Sequence, residues 1–387
     1  MSKPRSPAGP ENQSHGRVEV LDLLRLLAVF AVLLFHYGFR GAVADGFTEV
    51  SLPGLVPVAK YGYLGVQLFF IISGFVIAYS AEGRTASAFA VARAARIYPT
   101  FVLCMTVTFL LALMIGAPRF EASITQWLAN LIVVSPALKQ PFMDGAYWSI
   151  VYEITFYGWV FLLLLFNLFR RETVLIVVVW LAISIVNETI VHSGALLRLF
   201  LTDQSAFFCI GLVLYQIFRG RRDRTIMLLL ALSTAVAVTQ AFTGADWMRE
   251  HYHTEFNNLV IAAVCIASVG LVAFAMNVRR LPLPAGVVLA IGGLTYPLYL
   301  LHQHIGYMLF NKFAAVASAP VLVVLAAVLV TAASFLIWRF FENPVQKRFK
   351  QGLSRAADWL GGIAVGGAGF LLARAKRFGC VRPEGAA

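Results

Sequence analysis

The chain has 387 residues, of which 60% are hydrophobic and only 13% charged, about half the charged share usual in soluble domains. That deficit excludes a water-soluble globular fold. The formal net charge of +12 is read as membrane-flanking Lys and Arg rather than a nucleic-acid surface, because the basic residues cluster in short loops. Cys104, Cys209, Cys265 and Cys380 lack metal or redox spacing, and the first three lie inside apolar runs, so they read as packing residues and no metal is expected.

In chain order, residues 1–17 are polar and contain proline, as a disordered cytoplasmic tail would be. Apolar runs long enough to cross ~30 Å of hydrocarbon follow at 18–38, 62–81, 97–116, 146–168, 173–191, 204–218, 225–243, 256–276, 286–310 and 318–341. They predict an all-α integral membrane protein built as a bundle of about ten transmembrane helices. A further run, 124–138, is short and ends in Ser135-Pro136. Were it to cross, the loop 219–224 would face away from Lys3, Arg5 and Arg17. Read as a re-entrant or interfacial segment, it leaves these residues, Arg84/Arg93/Arg96, Arg170/Arg171, Arg219–Arg224, Arg279/Arg280 and Arg339–Lys350 on one face. That arrangement satisfies the positive-inside rule at every loop. The expectation is therefore a multi-pass protein of the cytoplasmic (inner) membrane with both termini in the cytoplasm. Irregular backbone at membrane depth needs protein or water around it, so 124–145 is expected to line an outward-opening cavity. Residues 18–348 form the membrane domain. Residues 349–387 form a basic cytoplasmic tail, with an interfacial helix expected at 359–373.

Five stretches carry polar groups that hydrocarbon tolerates poorly. Arg25 and His36 share the first span. Their 11-residue separation brings them to one face, ~16 Å apart along the axis, with Asp22 one turn before Arg25. An ionisable residue at such depth faces the bundle and marks a functional path. GYLGVQLFFIISGFVIAYS at 62–80 combines Gly62, Gly65, Ser73 and Gly74, a close-packing signature. Arg93 and Arg96, at i, i+3, have the spacing of a phosphate clamp. In YWSIVYEITFY at 147–157, Trp148 suits an outer aromatic belt, and Ser149 and Glu153 share a face, where a lone carboxylate needs a partner. In GGLTYPLYLLHQH at 292–304, His302 and His304 lie in the outer half of their span, on the same side as His36 and Glu153, and an imidazole suits proton transfer near neutral pH.

LDLLRLLAVFAVLLFHY, GVQLFFIISGF, RAARIYP, YWSIVYEITFY, LTYPLYLLH and FFENP stand in the same order as in acyltransferase family 3, and the chain resembles that family from residue 18 to about 348. The family moves acyl groups, commonly acetyl, from a coenzyme A thioester to hydroxyls, mostly of envelope or secreted glycans. By that resemblance Arg25 and His36 match its essential pair, and Arg93 and Arg96 its basic loop motif. It implies acetyl-CoA or another acyl-CoA as donor and a glycan or other hydroxyl-bearing acceptor. The partners expected are the acceptor and the bilayer, with no nucleic acid.

On this reading Arg93, Arg96, Arg25 and Ser73 contact the donor. Its pantetheine arm follows the Arg25 face toward His36, which acts as general base or acyl carrier. Glu153 is expected to orient or polarise His36, and Trp148, Tyr152 and His302 to contact the acceptor. The alternative is a proton-coupled transporter or lipid-linked glycan flippase, which also needs intramembrane Arg, His and Glu. Carriers usually show paired halves with interrupted helices, and no such symmetry is evident here.

Overall fold

The computed structural model describes residues 18–358 except 279 and 343. The expected N-terminal tail, the 359–373 helix and Arg279 lie outside the described residues. Among the described residues ten helices are long and apolar enough to span a membrane: α1 Glu19–Ala44, α2 Pro53–Ala81, α3 Ala86–Ile115, α4 Gly145–Leu165, α5 Thr173–Val191, α6 Gly194–Phe218, α7 Arg224–Tyr252, α8 Asn258–Val278, α9 Ala285–Phe313 and α10 Ala319–Glu342. The protein is an all-α, multi-pass membrane protein, as the apolar runs predict. Among the described residues there is no strand. Bundles of this kind satisfy every backbone hydrogen bond within each segment, which hydrocarbon demands.

The segment between α3 and α4 does not cross. Its helix Ile124–Asn130 has 7 residues, only ~10 Å at the α-helical rise. Ser135–Leu138 adds one 3₁₀ turn. The ends of the segment lie on one side. Arg119, just past α3, donates to the carbonyl of Gly46, just past α1. The far end of α4 returns to the start of α3, where Arg170 donates to the Arg84 carbonyl at 3.0 Å. Asn130 pins the loop, bonding the carbonyls of Gln126 and Pro141 at 2.9 and 3.0 Å and accepting from Met143 N–H at 2.9 Å.

Burial separates the core spans from the rim. The apolar window of α2 is 78% buried, whereas those of α4 and α10 are 22% buried, so α2 is central and the other two turn most of their surface to lipid. Two glycines bring α2 against α6. A Cβ on Gly74 would collide with the carbonyl oxygen of Phe208, and one on Gly211 with that of Ile71. Small residues of this kind permit backbone-to-backbone packing in membranes, where the hydrophobic effect does not drive helices together. Gly62 and Gly65 do the same for the start of α2 against Ala31 and Ala28 of α1.

The regular α-helix of α1 ends at Phe35, and a widened π-helical stretch runs from His36 to Ala44. Extra residues wound into a helix in this way re-aim its side chains and are frequent at functional sites. Three tyrosine hydroxyls then tie α9 to its neighbours through backbone oxygens. Tyr37 donates to His302 O at 2.6 Å, Tyr147 to Leu300 O at 3.2 Å and Tyr307 to His36 O at 3.2 Å.

Candidate functional site

Two adjoining cavities share Arg25, Arg96 and Gly292 as walls. The outer one opens at the arginine-rich end, between Asp22, Glu342, Gln346 and Lys347. The inner one holds about 790 Å³ of space and is lined by Ser73, Ser149, Glu153, Tyr157 and Tyr299 among apolar groups from α2, α3, α4 and α9. Arg25 is half-buried and paired with Asp22, Nη1 to Oδ1 at 3.1 Å. Charged groups in a low-dielectric span need such pairing.

The basic pair of α3 is divided by its helix. Arg96 faces both cavities. Arg93 instead stacks over aromatic rings, its guanidinium carbon 5.8 Å from the Phe89 ring centre and 6.0 Å from that of Tyr157, which are cation–π distances. Its Nε is buried without a hydrogen-bond partner among the described residues. Arg84 lines a separate cavity with Thr85 and Arg170.

Glu153 sits in the inner cavity and not beside His36. It accepts from Ser73 Oγ at 3.2 Å and from the Tyr157 hydroxyl one turn on. The expectation that Glu153 orients His36 is thus corrected: the hydrogen bonds of its Oε1 are with Ser73 and Tyr157, among the groups that line the cavity with Arg25. Ser73 lies where a donor contact was expected, on the cavity wall.

The ring that meets His36 is His302. Their closest nitrogens, His302 Nε2 and His36 Nδ1, are 3.0 Å apart, and the ring centres are 4.8 Å apart at 61°. His36 Nδ1 also lies 2.9 Å from Val32 O, and His302 Nδ1 lies 2.8 Å from Tyr299 O. His36 is 4% exposed and His302 0%. His302, expected to contact the acceptor, is packed against His36 and lines neither of the two cavities. His304, two residues on, has both nitrogens engaged by main chain: Nδ1 to Met143 O at 3.0 Å and Nε2 from Gly145 N–H at 3.2 Å.

Tyr152 and Trp148 pack on Phe70, itself a lining residue, and are not part of the cavity wall. The Tyr152 hydroxyl donates to the Asp203 carboxylate, 3.2 and 3.0 Å from its two oxygens. It is therefore held by a side chain rather than free for an acceptor. Trp148 packs edge-on against Tyr152, ring centres 5.2 Å apart, and against Phe70 at 6.3 Å.

Two residues join the site that its sequence patterns did not mark. Tyr299 lines the inner cavity, bonds Ser149 Oγ at 2.6 Å and presents its carbonyl to His302, so it is the wall between cavity and histidine pair. Asp144, fully buried, caps the turn before α4 through Ala146 N–H at 2.9 Å and accepts from His304 N–H at 2.8 Å. Among the described residues no three His, Cys, Asp or Glu side chains gather as a metal site.

The family model for the acyltransferase domain, Acyl_transf_3, matches residues 18–339. The chain belongs to that family. Among curated proteins the chain is similar to "Acyltransferase MdmB" of Streptomyces mycarofaciens, 26% identical over 149 residues. That similarity covers 36% of this chain and 38% of the relative, so the chain matches well under half of that protein's length. No solved structure matches the chain.

Proposed function

We propose that the protein transfers an acyl group, acetyl in the simplest case, from a coenzyme A thioester to a hydroxyl of a carbohydrate or similar acceptor at the cytoplasmic membrane. The observation that carries this reading is the order of groups along the Arg25–His36 face. Two cavities share the Arg25–Arg96 wall, and Tyr299, one of the residues lining the inner cavity, has its carbonyl beside the ring that meets His36. A CoA thioester is long, polyanionic at one end and reactive at the other, which suits a basic entrance and a buried imidazole.

Arg96 and Lys347 stand at the entrance as partners for phosphates, and Arg25 marks the shared wall along which the pantetheine arm would lie. Ser73, Glu153 and Tyr157 offer hydrogen bonds to its amides in place of water. His36 Nε2, which makes no hydrogen bond among the described residues, is the base. It takes the proton of the acceptor hydroxyl as the oxygen attacks the thioester carbonyl. The carbonyl re-forms as the C–S bond breaks, and the proton passes from Nε2 to the departing thiolate. The family membership supports acyl transfer. The hydroxyl acceptor and the cytoplasmic face of the arginine-rich end rest on the motif resemblance and the loop charges.

The test is transfer of labelled acetyl from acetyl-CoA by membranes carrying the protein. Label released by mild alkali from a glycan fraction, absent with the His36→Ala protein, is the expected result. Folded protein that moves no acyl group from any CoA thioester would refute the reading.

A further inference from the structure

We propose that His302 is a positioning residue for His36, holding it in the one neutral form whose Nε2 can accept a proton. This rests on the acyl-transfer reading above. A carbonyl oxygen only accepts. His302 Nδ1 lies 2.8 Å from Tyr299 O, so the neutral ring carries its hydrogen on Nδ1 and a lone pair on Nε2. That Nε2 faces His36 Nδ1 at 3.0 Å, and Val32 O faces the same atom at 2.9 Å. Both neighbours of His36 Nδ1 are acceptors. The hydrogen of His36 therefore sits on Nδ1, shared between them, and Nε2 keeps its lone pair. The other tautomer would set a lone pair on Nδ1 against two more, in a place where neither ring has water to turn to: His36 is 4% exposed and His302 0%.

His302 is itself held. Its carbonyl accepts from the Tyr37 hydroxyl at 2.6 Å, and its ring packs on that of Tyr299, centres 5.6 Å apart. When His36 takes the hydroxyl proton on Nε2 it becomes a cation with hydrogen on both nitrogens. The Nδ1 hydrogen goes on donating to His302 Nε2, an acceptor already in place when the charge develops. No proton moves to His302. His304 is the internal contrast, since main-chain groups engage both its nitrogens.

The experiment compares His302→Phe and His302→Gln in purified, detergent-solubilised protein, with kcat and KM for acetyl-CoA and ¹⁵N NMR of histidine-labelled protein. The His36 signal is assigned by its loss in His36→Ala. Phe keeps the ring volume without an acceptor, and Gln sets an amide oxygen near the former Nε2. The expected result is a kcat about 10- to 100-fold lower for Phe, KM within about twofold, and recovery of most of the loss by Gln. The wild-type His36 is expected as the Nδ1–H form, with a larger share of the Nε2–H form in the Phe variant, where only Val32 O remains to accept from Nδ1. A wild-type His36 in the Nε2–H form overturns the proposal without any variant. Equal losses in Phe and Gln, or a KM that rises with the fall in kcat, also overturn it. An active His36→Ala protein would instead overturn the base reading itself, whereas inactive His36→Ala beside fully active His302→Phe defeats only the role of His302.

Discussion

The two ends of the marked face of α1 are built in opposite ways. Around Arg25 there is room: its guanidinium lines two cavities, and Ser73, Glu153, Tyr157 and Arg96 ring the space with groups that can trade water for a ligand. Around His36 the contacts are closed. Its Nδ1 is shared between Val32 and His302, its carbonyl accepts from Tyr307, and both histidine rings are buried. Recognition of a large ligand needs space and adaptable polar groups, whereas proton transfer needs fixed geometry. On the proposed reading, a single span thus joins a binding region to a reaction centre.

The comparison breaks most readily at His36. His36→Ala should lower kcat by about 10²- to 10⁴-fold while acetyl-CoA still raises the melting temperature of the solubilised protein, because the Arg25 end is untouched. Loss of that stabilisation together with turnover would show that the two ends are not separate. Arg25→Ala should act the other way, raising KM for acetyl-CoA by about 10- to 100-fold, the worth of a charge-assisted contact of ~1.5–3 kcal/mol. Steady-state kinetics in which kcat alone fell would place Arg25 in the chemistry instead. Gly211→Ala tests the frame that holds both ends, since its Cβ would meet the Ile71 carbonyl across the α2–α6 contact. It should cost about 1–3 kcal/mol, seen as a lower melting temperature with KM for the surviving fraction unchanged. Smallest is Arg84→Ala: because Arg84 lines a different cavity, KM for acetyl-CoA should stay within about twofold, and a tenfold rise would extend the donor site to that end of α3.

The ten spans were legible because each is an unbroken apolar run, and the 124–138 segment because its charged neighbours allow only one arrangement. Arg25 and His36 were legible through the cost of an ionisable group in such a run. The partner of His36 was not. His302 and His304 lie two residues apart in the same motif, and only the packing of α9 on α1 decides which ring turns to His36, 266 residues away in sequence. Glu153 was half legible: Tyr157 follows at i, i+4, but Ser73 belongs to another span. For the same reason Tyr152 reads as an available hydroxyl until α6 brings Asp203 to it. Asp144, followed by Gly145 just before α4, carried a helix-capping signal, but its second oxygen finds His304 only in the fold.

The wall common to the two cavities has a kinetic consequence. A charged group leaving water for the interior of a membrane protein ordinarily meets its dehydration penalty at one narrow stage. Here Arg25, paired with Asp22, and Arg96 border both compartments, so a donor of the proposed kind would keep its phosphates beside Arg96 while only its neutral arm passed the shared wall. Entry would then be graded by electrostatics as much as by width.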